Sequence, residues 1–144
     1  MRLKDKVILV TGSTTGIGEG MARIFAREGA LVMIHGTREE AAQKLASEIG
    51  KQASFAIGPL DDPKVPARLI AATIERFGRV DGLVNNAAAM ARGNLENTDL
   101  AAFDRTLAIN LKAPYLLIQA ALLVSVVPAR RAAGVDRMAA LRNQ

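Results

Sequence analysis

The sequence predicts an α/β fold with a parallel sheet, and three observations carry that reading. Strand-like and helix-like stretches alternate along the chain. The first strand, Val7-Ile8-Leu9-Val10, is apolar at every position, as expected of a strand covered on both faces. A glycine-rich turn holding Gly12, Gly16 and Gly18 follows it directly and opens an amphipathic helix.

The elements follow in order. The first helix is expected from Gly16 to Glu28, with Ile17, Met21, Ile24 and Phe25 as its buried stripe and Gly29 at its C-terminal cap. Leu31-Val32-Met33-Ile34 reads as the second strand. A second helix is expected from Thr37, with Glu40 at capping-box spacing, Leu45 and Ile49 facing inward and Gly50 ending it. Ser54 to Ile57 reads as the third strand. Asp62 is expected to cap a third helix with Pro63 at its first position, Leu69, Ile70, Ile74 and Phe77 on its apolar face and Gly78 closing it. Val80 to Asn85 reads as the fourth strand, and a long helix runs from Thr98 or Asp99 to about Val124.

Composition narrows the classes. The 144 residues fit one domain, and the core is aliphatic, with 50% hydrophobic residues and 3% aromatic. There is no cysteine, which excludes disulfides and thiolate metal sites and suits a reducing, cytoplasmic setting. The N-terminal residues run into the first strand without a signal-like apolar region. The longest apolar tract, Ala113 to Val127, is interrupted by Gln119 and reads as too short for a membrane span. The net charge of +5 is uneven: residues 129–144 hold Arg130, Arg131, Arg137 and Arg142 against Asp136, leaving +2 for the rest. That Ala/Arg-rich tail has no interleaved aromatics and reads as a solvated segment, not a nucleic-acid site.

The chemistry lies in the turn after the first strand. Glycines there allow a tight turn and let a pyrophosphate approach the backbone, where N–H groups at the positive end of the helix hold it. The strand-loop-helix setting gives the glycine triplet its weight. No metal-ligand cluster is legible.

The spacing is T-G-x-x-x-G-x-G. Together with Asn85-Asn86-Ala87-Ala88 and Ile109-Asn110-Leu111-Lys112-Ala113-Pro114, it closely resembles the short-chain dehydrogenase/reductase family, continuously from about Lys4 to Leu122. The resemblance implies a Rossmann-like three-layer fold with about four strands in the order 3-2-1-4. It implies that residues 1–124 are a dinucleotide-binding domain lacking the C-terminal half of the family fold, with 125–144 a tail of uncertain structure. It places Gly12, Gly16, Ile17 and Gly18 along the cofactor pyrophosphate, with Ser13, Thr14 and Thr15 of the same loop also cofactor-binding. Asn85 and Ala87 would stand at the segment that supports the sheet and touches the adenine ribose, with Ala88 in place of the family's glycine. Asn110 would be the one catalytic position retained, its main-chain carbonyl holding a water of the proton relay. Pro114, four residues on, has no N–H to give that carbonyl. A plain helix kink remains the other reading.

Cofactor choice is read at the end of the second strand. NAD binders usually carry an acid there for the ribose 2′-hydroxyl. This chain reads His35-Gly36-Thr37-Arg38, so NADP is favoured over NAD, with Arg38 placed to pair with the 2′-phosphate and Gly36 and Thr37 also at the cofactor. Arg38 also reads as a solvated first-turn arginine. His35 reads as a strand-end side chain beside the adenine, not a ligand or base. The acid the family usually has near the adenine falls on Pro59, with Asp61 close by. The catalytic serine and Tyr-x-x-x-Lys pair are not found: the one tyrosine, Tyr115, is followed four residues later by Gln119, and no lysine follows Lys112. The expected function is therefore an NAD(P)-dependent oxidoreductase by resemblance, inactive as these residues alone. The alternative is a non-catalytic nucleotide-binding or interaction module pairing with a full-length relative. The final helix is apolar on several faces, with Leu107, Ile109, Leu111, Leu116, Leu117, Ile118, Leu122 and Leu123, and this predicts a homo-oligomer or association with a related chain.

Overall fold

The computed structural model describes residues 1–90, 93–94 and 96–124. The tail expected at 125–144 lies outside the described residues. Four parallel strands, β1 (Val7–Val10), β2 (Leu31–Gly36), β3 (Ala53–Ile57) and β4 (Gly82–Val84), form one sheet in the order β3-β2-β1-β4. Helices α1 (Gly16–Arg27), α2 (Glu39–Ile49) and α3 (Val65–Phe77) connect them. The final helix begins as α4 (Leu100–Leu107), passes through a π-helical turn at Ala108–Lys112 and continues to Val124, the last described residue.

The continuous apolar run of β1 serves both faces of the sheet. Ile8 and Val10 join Val32 and Ile34 of β2 beneath Ala22 and Ala26 of α1 and Ala42 and Leu45 of α2. Leu9 and Met33 point the other way, onto Val65, Leu69 and Ile70 of α3 and Ile109, Ala113 and Leu117 of the final helix. Those last three residues recur every four positions, so one stripe of the helix faces the sheet. The result is the three-layer arrangement expected. By length and composition the Leu100–Val124 helix could cross a membrane, with a mean hydropathy of 1.6. This differs from the reading of its apolar tract as too short. Here its buried stripe packs on the sheet.

Several expected details shift. In α1, Ile17 is 79% exposed and Ile24 49% exposed, and the buried stripe is Gly18, Ala22 and Ala26. Small residues let the helix lie close to the sheet, while Ile17 points into the cleft described below. Its end is as expected: Gly29 takes a left-handed φ of 92°, the Gly29 N–H bonds the Ala26 carbonyl, and the Ala30 N–H bonds the Phe25 carbonyl. β2 runs two residues further than expected because Ser13 and Gly58 continue its pairing at His35 and Gly36. Helix α2 therefore starts at Glu39, its N-cap Arg38 makes no side-chain bond, and the Thr37–Glu40 capping box does not form. Helix α3 starts at Val65, not Pro63. A start at Pro63 would put Pro66 where the ladder needs its N–H, whereas a start at Val65 leaves Pro66 in the first turn. Asp62 instead accepts from the Lys64 N–H in the preceding turn.

Asp81 fixes the register of the edge. Its Oδ2 accepts the Val7 N–H at 2.9 Å, its own N–H bonds the Val7 carbonyl at 2.8 Å, and Arg79 pairs with its other oxygen. Burial disfavours its charge, but the Val7 amide and Arg79 outweigh that and hold the carboxyl below its ordinary value. Replacing Asp81 with Ala is expected to lower the unfolding free energy by about 1 kcal/mol at neutral pH, read by urea denaturation. A carboxyl with a depressed folded pKa stabilises above its unfolded pKa and loses that contribution as pH falls through the folded one. The difference between the two proteins should accordingly shrink below the ordinary value of 3.8.

Candidate functional site

The carboxyl ends of the parallel strands open onto a cleft of about 880 Å³. The β1–α1 loop forms one wall, the end of β2 and the β3–α3 loop a second, and the segment after β4 with the start of the final helix a third. Crevices at this end of an open parallel sheet are where such folds bind ligands.

The glycine loop is shaped for close approach. Gly12 and Gly16 have φ of 62° and 60°, the left-handed region that disfavours other residues. A Cβ on Gly16 would meet nothing within 4 Å, so the backbone there faces open space. A Cβ on Gly12 would sit 2.8 Å from the Ala87 Cα, and one on Gly18 only 2.3 Å from the Gly12 carbonyl oxygen. Two of the glycines thus allow packing behind the loop, and the third leaves room in front. The α1 N-cap, Thr15, makes no side-chain cap bond, so the positive helix end is presented to the cleft without an internal acceptor. These features fit a phosphate-bearing group.

The loop is tied to β4 by a knot of polar bonds. The Thr11 hydroxyl donates to the Val84 carbonyl at 3.3 Å and accepts from the Asn86 and Ala87 N–H groups at 3.0 and 3.1 Å. Asn86 Nδ2 donates to the Thr11 and Gly12 carbonyls at 2.9 and 3.0 Å. Ser13 is fully buried, its hydroxyl donating to the Val10 carbonyl at 2.7 Å. His35, 2% exposed, places Nδ1 3.3 Å from the Gly12 N–H and Nε2 2.8 Å from the Gly58 carbonyl. Burial pushes its pKa down, opposed by the bond to Gly58.

Of the residues read from the sequence, Gly12, Thr14, Thr15, Ile17, Gly18, Gly36, Thr37 and Ala87 line the cleft. Gly36 is required there, since a Cβ would fall 2.5 Å from the Thr14 side chain. Ser13 lies beneath the loop, and Gly16 opens α1. Arg38 is exposed at the start of α2, just past the cleft wall. Asn85 is exposed after β4 and is not part of the cleft lining. Asn110 sits on the π turn, where its side chain bonds the Ala89 backbone twice: Oδ1 accepts the N–H at 2.8 Å and Nδ2 donates to the carbonyl at 2.7 Å. It fastens the segment after β4 to the final helix. Tyr115 is 64% exposed on that helix.

Three features escaped sequence reasoning. Thr11 and Asn86 stood inside quoted motifs, but their mutual bonds join residues 75 apart. Asp61 pairs with Arg105 at 3.0 Å, linking the β3–α3 loop to the final helix, and Leu60 beside it is a buried wall of the cleft. The role of His35 depends on loops from β1 and β3 that local sequence does not bring together.

A family model described as short chain dehydrogenase matches residues 6–134, so the match continues past Leu122, where the recognisable motifs end. An uncharacterized oxidoreductase of Thermotoga maritima is 41% identical over 120 residues, covering 81% of this chain and 47% of the relative. A sorbitol dehydrogenase of Cereibacter sphaeroides is 38% identical over 120 residues, covering 83% and 47%. The fold matches a blue fluorescent protein from a metagenomic library solved with NADPH, with a TM-score of 0.82 and 32% identity over 85% of this chain and 52% of that one. It also matches a 3-ketoacyl-(acyl-carrier-protein) reductase from Brucella melitensis solved with NADH, with a TM-score of 0.78 and 36% identity over 81% and 48%. The chain belongs to the short-chain dehydrogenase family. It spans about half the length of the curated relatives it matches.

The packing behind the loop makes a sharp prediction. Gly18→Ala should lower stability by about 1–3 kcal/mol, because the new Cβ collides with backbone. Gly20→Ala on the same helix meets nothing within 4 Å and should raise stability by about 0.5–1 kcal/mol. Thermal melts of the two variants distinguish them, and shifts in the same direction would refute the packing account.

Proposed function

We propose that this chain is the cofactor-binding portion of an NAD(P)-dependent oxidoreductase that transfers hydride to or from a carbonyl or alcohol substrate. The observation that carries it is the glycine loop, which turns an open backbone and an uncapped helix start toward a large cleft at the strand ends. Gly12, Thr14, Thr15, Gly16, Ile17 and Gly18 would line the pyrophosphate, and Ser13, buried beneath the loop, would support it from behind. Ala87 would stand at the adenine-ribose side, whereas Asn85 lies outside the cleft lining. When bound, the dinucleotide supplies or accepts the hydride.

NADP is the favoured form. Gly36, Thr37 and Arg38 follow β2 with no carboxylate among them, and Arg38 is exposed at the cleft edge. The solved relatives include both an NADPH and an NADH complex, so the preference rests on these residues. Asn110 is the one position read as catalytic, through a water held on its carbonyl beside Pro114. With Gln119 four residues after Tyr115 and no lysine after Lys112, these residues by themselves do not transfer hydride.

A specific observation favours a second role. Leu100, Phe103, Leu107, Leu111, Tyr115, Ile118 and Leu122 are all exposed on the final helix. So much apolar surface marks an association site, either between copies of this chain or with a related chain.

Two outcomes test these readings. In fluorescence titrations NADPH should bind about tenfold tighter than NADH, roughly 1.4 kcal/mol, and Arg38→Glu should abolish that preference. Equal affinities in the unaltered chain would remove the NADP assignment. In sedimentation velocity the chain should self-associate and Leu111→Glu should shift it toward monomer. A monomeric unaltered chain would contradict self-association.

A further inference from the structure

We propose that His35 is a positioning residue for the dinucleotide cleft, whose neutral Nε2–H form holds the glycine loop in its binding shape, so that protonating His35 weakens cofactor binding. This rests on the cofactor reading of the cleft.

The two ring nitrogens have partners of opposite kind. Gly12 N–H can only donate, so Nδ1 must accept. The Gly58 carbonyl can only accept, so Nε2 must carry the hydrogen. One neutral tautomer satisfies both. The ring therefore bridges the β1–α1 loop and the β3–α3 loop, which belong to neighbouring walls of the cleft. The residue is held from both ends: the ring is buried, the Ser13 N–H bonds the His35 carbonyl at 2.8 Å, and the His35 N–H bonds Ser13 Oγ at 3.0 Å.

An imidazolium has two donors. Protonated Nδ1 would face the Gly12 N–H at 3.3 Å, donor against donor. Gly12 would have to move, and it is packed on Ala87 and held by Asn86. No counter-charge stands ready. Among the described residues, the ring's bonds go to the Gly12 N–H and the Gly58 carbonyl, and no charged group on the surrounding elements pairs with it. In the β3–α3 loop, Asp61 pairs with Arg105 of the final helix, and Asp62 accepts from the Lys64 N–H. Arg68 of α3 donates to the Ile57 carbonyl, and Asp99 accepts from the Ala102 N–H. Lys64 and the exposed Arg38 and Glu39 at the start of α2 make no bond or ion pair with the ring, and the β1–α1 loop carries no charged side chain. Burial disfavours the charged ring in the same direction.

A diphosphate in the cleft would attract an imidazolium, so the opposite pH trend is physically available and the experiment decides between them. The test uses the full chain labelled with ¹⁵N. The chain has one histidine, so its ring signals are unambiguous. At about pH 8 the ring should report the Nε2–H tautomer, and the Gly12 amide should shift together with the ring as pH is lowered to about 5. In parallel, NADPH affinity is measured over the same range for the unaltered chain and for His35→Gln, which keeps an acceptor and a donor but does not titrate. Titration of the cofactor's 2′-phosphate is common to both and cancels. The unaltered chain should lose affinity relative to His35→Gln by about tenfold per pH unit below its ring pKa. An Nδ1–H tautomer, an unmoving Gly12 amide, or equal pH slopes in the two proteins would overturn the proposal. If neither protein binds NADPH at any pH, the cofactor reading fails, while the ring and Gly12 titrations still decide whether the bridge exists.

Discussion

The knot at the ends of β1 and β4 is the constraint on which the rest of the cleft depends. A phosphate-binding loop must be irregular to expose its backbone, yet it must hold one shape. Here the Thr11 hydroxyl satisfies two N–H groups of the neighbouring strand's end, and Asn86 returns two bonds to the loop carbonyls. Every partner is backbone, so the loop's conformation is fixed by groups that a binding ligand does not need. Gly12 and Gly18 complete the arrangement by their size, since each has backbone or a side chain against the place a Cβ would occupy.

From that knot the other walls follow. His35 carries the loop's position across β2 to the β3–α3 loop, and Asn110 carries the segment after β4 to the final helix. The π turn at Ala108–Lys112 adds a residue to the helix ladder at Asn110, and such turns recur at functional sites. The helix can tolerate this irregularity because Ile109, Ala113 and Leu117 on either side are pressed into the core beneath α3 and the sheet.

Most of the fold was legible because its signals are local. The apolar run of β1, the glycines after α1, α2 and α3, and the alternation of periods mark the strands and helices along the chain, while the strand order came from the family resemblance. The misreadings came where tertiary contact overrode local pattern. Ile17 and Ile24 look like core residues by spacing, but the glycine and alanines of α1 allow the helix to lie so close that a different stripe is buried. Thr37 and Glu40 have capping-box spacing, but continued pairing of β2 draws Thr37 out of the helix. In the site, the glycine loop was legible because its motif is contiguous. The bonds of Thr11 with Asn86, of His35 with Gly58 and of Asp61 with Arg105 join distant segments, and no spacing in one sequence announces them.

On the proposed function, the glycine loop and its two neighbouring walls form one dinucleotide site. The most direct measurement is the change in backbone amide signals of the full chain on adding NADPH. Saturable shifts are expected at Gly12 to Gly18, at Gly36 to Arg38 and at Asn86 to Ala89, with little change on the outer surfaces of α2 and α3. Absence of saturable shifts, or shifts centred elsewhere on the fold, would contradict it.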